Sequence, residues 1–455
     1  MAASESKPHN PVYHLRHKKL DYFGKPAPQV HFPMEPSRLE DLGLDDTMVH
    51  KMILKHLYNS GTLRTDELAH KLGVSVSIID KPIAFLRNRA LVETYHRNGK
   101  LIGDIMRYKL TESGRKVAHE HMEDNSYCGQ LPVTYSDYCK QVSAQSIRSQ
   151  IVDRKSLDLA FKDVVINPKI LNSIGAAFNS GSSIFLYGPA GTGKSFIASK
   201  MKEMLQDNIA IPYAIEVEGQ IIRLFDSNDF TPIVQEESDN KQSTQDPRLD
   251  RRWVICQRPV IVAAGELTQQ MLDLNFDRDR GFYEAPLQMK ANGGIFLIDD
   301  FGRQQMSSNF LLNRWIMPLE NGIDYLGLHT GNKIKIPFDV IPVFSTNIEP
   351  RELVDEAFLR RLGYKIIVSY ISEEEYSQIF KQYCITNGLE FSQKFVDYLI
   401  QQHYKPNKKK LLASHPKELI NKVIDFSLFD NRKPSLSEES LSMAWDAFFM
   451  QETET

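Results

Sequence analysis

Four cysteines in 455 residues, Cys128, Cys139, Cys256 and Cys384, are too few and too widely spaced for a disulfide framework or a CxxC-type zinc site. They read as reduced thiols. No charge of one sign dominates either. The net charge of −3 excludes a global pull towards nucleic acid or an anionic membrane, so such a partner needs a local patch. No apolar run reaches transmembrane length, and the polar start, punctuated by Pro8, Pro11, Pro26, Pro28, Pro33 and Pro36, has no apolar signal-peptide core. A cytoplasmic location with no membrane partner is expected. The length exceeds one ordinary core and predicts two or three domains.

Residues 1–44 lack periodicity and are expected to form a flexible N-terminal arm. From Asp45 the apolar spacing predicts three short helices, broken at Gly61 and Gly73. Two strands, 91–95 and 106–110, flank an Asn98-Gly99 turn, and a further helix starts at Thr111. Helices plus a β wing resemble a winged-helix domain over residues 45–122. Residues 123–160 read as a connector that partly packs.

Beyond it, apolar runs at 184–187, 211–217, 294–298, 340–344 and 364–368 alternate with helical patterns, which predicts an α/β core with a parallel sheet over 161–370. The stretch 219–290 is longer than a crossover requires and reads as an insertion, with a polar segment at 236–250. Residues 371–455 turn helical, forming a C-terminal lid subdomain. A capping-box spacing from Ser435 to Glu438 announces its last helix.

The run Gly188, Pro189, Ala190, Gly191, Thr192, Gly193, Lys194, Ser195 fits GxxxxGK[ST], with an apolar strand before it and a helical run after it. The glycines let backbone N–H groups face phosphate oxygens, Lys194 reaches the β- and γ-phosphates, and Ser195 ligates Mg²⁺. A chance glycine-rich turn is the competing reading, and the flanking elements argue against it. The apolar strand 295–298 delivers Asp299 and Asp300 to the sheet end where α/β proteins bind ligands, matching a Walker B element. Asp299 is then the Mg²⁺ holder and Asp300 the group that orients and deprotonates the attacking water. Asp300-Phe301-Gly302 also looks like a kinase signature, but no HRDxxxxN loop accompanies it. The strand 343–347 ends in Asn347, an amide suited to positioning a water.

Together these elements resemble the AAA+ ATPase superfamily. The resemblance implies ATP and Mg²⁺ as ligands, Asn347 as sensor 1, and Arg361 or its neighbour Arg360 as an arginine finger. Such a finger serves a neighbouring subunit's nucleotide, which implies a homo-oligomeric ring, expected to be a hexamer. Lys417 resembles the sensor 2 position, where arginine is more usual, and Asp300 stands where glutamate is common; both departures bear on hydrolysis rate more than on binding. Residues 287–303 and the following helix are similar to MoxR-like chaperone ATPases, and 323–337, with its Thr330-Gly331-Asn332 turn, looks like the pre-sensor-1 hairpin of that clade. The expected function is ATP-driven remodelling or assembly of a client protein.

Two alternatives stand beside it. Residues 81–116 carry nine Lys or Arg against three acids, and His96, Arg97 and Lys100 fall in the wing, which allows a DNA-binding ATPase regulator or loader. Against DNA, Asp80 repels phosphate and Pro82 is expected to kink or break the recognition helix, so docking or packing is the favoured use. The other alternative is an ATP-dependent switch with slow hydrolysis.

Overall fold

The computed structural model describes residues 32–95, 106–233, 249–353 and 356–449. Most of the N-terminal arm, the Asn98-Gly99 turn with His96, Arg97 and Lys100, and most of the polar segment 236–250 lie outside the described residues. The chain has a mixed α/β architecture and divides into two units interleaved in sequence. One comprises residues up to Ile151 with Leu205–Phe296 and Phe310–Ile341; the other comprises Val152–Met204, Leu297–Asn309 and everything from Pro342.

The first unit begins with helices Asp46–Ser60, Thr65–Leu72, Val76–Asn88 and Glu112–Asp124 around an antiparallel sheet in which Arg107–Leu110 lies between Thr62–Arg64 and Val92–Tyr95. Local chemistry sets these bounds. The Asp45 side chain accepts from Thr47 N–H, Thr111 Oγ1 accepts from Gly114 N–H, and Gly73 ends the second helix at φ 70°. The helix holding Pro82 does not break there: it runs through from Val76 to Asn88. The missing N–H costs about 3 kcal/mol. Burial of Pro82 together with Ile78, Ile79, Ile83 and Leu86 offsets it.

The apolar run 211–217 is not one strand of the parallel sheet. It divides at Tyr213 into Asn208–Pro212, antiparallel to Trp253–Gln257, and Ala214–Val217, which pairs with Gln220–Arg223 and Val133–Thr134. Pro212 has no N–H to continue a ladder, so the strand ends there. The hairpin expected at 323–337 is present as Ile323–Gly327 paired with Lys333–Pro337. Arg314 donates to the buried Asp324 carboxylate, which also accepts from Gln288, tying the hairpin to helix Ser308–Asn321.

The second unit holds the ends of Ile295–Ile298 and Ile341–Thr346, from residues 297 and 342 on, with Ile184–Tyr187 and Tyr364–Ile367; the four strands lie side by side in that order, and both neighbours of Ile184–Tyr187 run parallel to it. The first three strands are buried along nearly their whole length, as a covered parallel sheet requires, whereas Tyr364–Ile367, at the end of the strand order, is largely exposed. Helices Glu373–Thr386, Gln393–Tyr398, His415–Phe429 and Glu438–Phe448 follow, packed on Tyr376, Phe380, Leu399, Leu419 and Trp445. The last helix is capped by Ser437, reciprocally with Ser440, two residues after the position its sequence spacing suggested. Among the described residues no helix is long and apolar enough to cross a membrane.

Within this helical part, His415 Nδ1 lies 2.9 Å from Tyr404 Oη, which lies 3.2 Å from Tyr376 Oη. Burial pushes the His415 imidazole down to about 4 from 6.5. The unfolded chain then binds a proton that the folded chain refuses, so stability is full above pH 6.5 and falls as pH drops towards 4. The loss is on the order of 3 kcal/mol. Thermal unfolding across that window should show it, and a His415→Gln variant should have a flatter profile; an equally steep one would remove His415 as the cause.

Candidate nucleotide site

The site is built at the carboxyl ends of the parallel strands. Tyr187 and Thr346 are register partners, so the loop starting at Gly188 and the residue Asn347 leave the sheet side by side. Gly188 holds φ 140°, and a Cβ there would lie 2.2 Å from Val368 O. Gly188→Ala is therefore expected to cost about 3 kcal/mol or more, by strain and clash together. A lowered thermal midpoint would show this, and an unchanged midpoint would contradict the packing described.

From Gly193, at φ 93°, the chain enters helix Lys194–Lys200. Lys194 is 6% exposed, and its ammonium donates to Gly188 O at 2.9 Å and Pro189 O at 2.7 Å. Burial pulls its pKa down while Asp300 and Asp299 pull it up. Pro189 O also accepts from Thr192 Oγ1, and Ala190 and Gly191 are exposed on the loop's outer turn. Ser195 Oγ donates to Asp299 Oδ1 at 2.8 Å. A hydroxyl and a carboxylate so placed are hard oxygen donors of the kind Mg²⁺ takes.

Asp300 has φ 47°, the left-handed region, and its N–H donates to Asp299 Oδ1. Asn347 Nδ2 reaches Asp300 Oδ1 at 3.4 Å. The Asp-Phe-Gly turn has a packing role: Phe301 is fully buried edge-on against Phe185 and Phe344, with ring centroids 6.0 and 5.1 Å away. Gln304, which sequence reasoning missed, bridges this turn by donating to Asp299 O and Asp300 O while accepting from Gly302 N–H. Nothing in the local pattern marks it, because its partners are carbonyls that only the folded turn presents.

A cavity of about 780 Å³ is lined by Lys194, Ser195, Asp300, Asn347, Tyr383 and Lys417 among others. That size falls within the range of about 300–1,000 Å³ usual for small-molecule sites. Lys417 projects from the first turn of helix His415–Phe429, and Ser414 N–H donates to Gly191 O, joining the helical part to the glycine-rich loop. Arg360 and Arg361 stand apart, exposed in the turn after Glu356–Leu359 and outside the lining of this cavity.

Residues 372–447 match the model of a family described as a domain of unknown function (DUF8689). No curated protein matches the chain. Among solved structures, it is similar to NtrX from Brucella abortus at 14% identity, covering 63% of this chain and 57% of that one, with a TM-score of 0.38. The same protein in complex with ATP gives 14% identity, 80% and 68% coverage and a TM-score of 0.37. A Thermotoga maritima RuvB Holliday junction branch migration motor gives 13% identity, 68% and 73% coverage and a TM-score of 0.35. Likenesses this loose leave the functional reading to rest on the site's own geometry.

Proposed function

We propose that this chain is an AAA+-type ATPase of the MoxR-like, pre-sensor-1 hairpin clade, which binds ATP with Mg²⁺ and hydrolyses it to remodel or assemble a client protein. The observation that carries the reading is the convergence of Lys194, Ser195, Asp299, Asp300 and Asn347 at one sheet edge, from three strands far apart in sequence. Lys194 exchanges its loop carbonyls for the β- and γ-phosphate oxygens. Ser195 and Asp299 hold Mg²⁺, which supplies neutralisation of the phosphate charge. Asp300 accepts the proton of a water that Asn347 helps to orient, and Lys417 faces the nucleotide from the helical part.

The exposed Arg360 and Arg361, away from their own chain's cavity, fit service to a neighbouring subunit, hence a homo-oligomeric ring and a hexamer as the working size. The N-terminal helices and sheet fit a winged-helix module used for docking. Two of its cations already have partners, Lys81 with Glu40 at 3.1 Å and Lys109 with Glu93 at 3.0 Å, which disfavours DNA as the ligand. Slow turnover is the second reading, supported by the short Asp300 side chain.

The test is Mg²⁺-dependent ATP hydrolysis by the purified chain, with its mass in solution measured with and without ATP. An Arg361→Ala variant is expected to bind ATP normally and lose most turnover. Absent ATP binding would overturn the site reading; full turnover by a monomer would overturn the ring.

A further inference from the structure

A second cluster of reactive groups lies in the first unit, where helix Asp46–Ser60 meets the segment after helix Glu112–Asp124. His56 is 5% exposed, with Nε2 2.9 Å from Gly129 O. A carbonyl can only accept, so Nε2 carries the proton and Nδ1 presents its lone pair. Cys128 Sγ lies 3.5 Å from that Nδ1. Burial holds the imidazole below its usual pKa, so it is a neutral base near neutral pH.

Lys55, the preceding residue, is 3% exposed, and its ammonium donates to Asn125 O, Asn125 Oδ1 and Tyr127 O. Its contacts are oxygens of neutral groups, and burial lowers its pKa to about 8. The Cys128 sulfur is the foremost group favouring its charge, ahead of Asp124. An anion formed at Cys128 therefore gives a buried cation its counter-charge. The Asn59 side chain, through a hydrogen bond, favours the Cys128 thiolate ahead of Lys55 and Lys71, and Lys71 acts on the His56 imidazole ahead of Lys55. Burial otherwise raises the thiol's pKa, so its resting form is the thiol and its reactivity depends on the adjacent base.

Cys128 is half-buried and lines a cavity of about 400 Å³ with Tyr127, Tyr213, Arg223, Phe225 and Phe282. Cys256 and Cys384 are buried, and Cys139 is half-buried beside Tyr135 rather than an imidazole.

We infer that Cys128 is a base-assisted nucleophilic thiol, with His56 as its base and Lys55 as its counter-charge, which exchanges with low-molecular-weight disulfides admitted by this cavity. His56 Nδ1 takes the thiol proton as Cys128 Sγ attacks one sulfur of the disulfide. The new S–S bond forms as the old one breaks, and the departing thiolate takes the proton back from the imidazolium. One disulfide is consumed and one mixed disulfide is formed, so atoms and electrons balance.

The test treats the full chain with oxidised glutathione near neutral pH and follows the adduct at each cysteine by peptide mass spectrometry. Cys128 should form its mixed disulfide about tenfold or more faster than Cys139. A His56→Gln variant should slow Cys128 by a similar factor and leave the Cys139 rate unchanged. Equal rates for the two cysteines in the unaltered chain would overturn the proposal without any variant, as would an undiminished Cys128 rate in His56→Gln with Cys139 unaffected. If that variant unfolds, shown by a rise at Cys139 and at the buried Cys256, the comparison of Cys128 with Cys139 in the unaltered chain decides.

Discussion

Lys194→Ala is expected to lower kcat/KM for ATP by about 100-fold or more, because it removes a preorganised positive charge from where phosphate charge develops. The ammonium is already desolvated and feels the charges of Asp300 and Asp299, whereas Lys417, the other lysine lining the cavity, is exposed on the helical part and does not replace it. The fold itself should survive. Pro189 O keeps the Thr192 hydroxyl as a donor, and the glycines that shape the loop are untouched. Turnover assays and nucleotide titration, with thermal unfolding as the control, check this. A folded Lys194→Ala protein retaining a tenth of the turnover would mean the phosphates sit elsewhere.

Asp300→Asn is expected to separate binding from chemistry. The amide is close in size and keeps an acceptor oxygen for Asn347, and asparagine tolerates the left-handed φ of 47° found there. ATP affinity should therefore stay within a few-fold while kcat falls by about 10²–10⁴, the usual contribution of a positioned general base. Single-turnover hydrolysis beside equilibrium binding reads the two effects apart. An unchanged kcat would show that another group handles the proton, and a parallel loss of affinity would place Asp300 on the metal. The same φ accounts for aspartate here: a glutamate, lacking the short side chain that favours this conformation, would strain the turn held by Gln304.

Much of the candidate site's geometry was legible because it is local. The glycine-rich loop has specific residue types at fixed spacing between a strand and a helix, and Ile295–Ile298 announced the paired aspartates by its apolar run. What escaped was non-local. The run 211–217 is apolar enough for a buried strand, but periodicity does not say which partner it takes, and the structure divides it between two sheets. Pro82 predicted a broken helix because the backbone cost is local, whereas the burial that offsets it comes from the packed core. The cap on the last helix moved from Ser435 to Ser437 because the reciprocal partner proved to be Ser440 rather than an acid.

The amino-acid sequence by itself determined the glycine-rich loop between its strand and helix, the aspartate pair and Asn347 at their strand ends and the 323–337 hairpin, since each is written in contiguous residues whose conformation short-range sterics and hydrogen bonding largely settle. The tertiary structure alone decided that Ser195 meets Asp299 and that Gln304 holds the left-handed Asp300, and it alone set His56 beside Cys128. These are meetings of groups from separate segments, and strand order and core packing, which no local pattern encodes, bring them together.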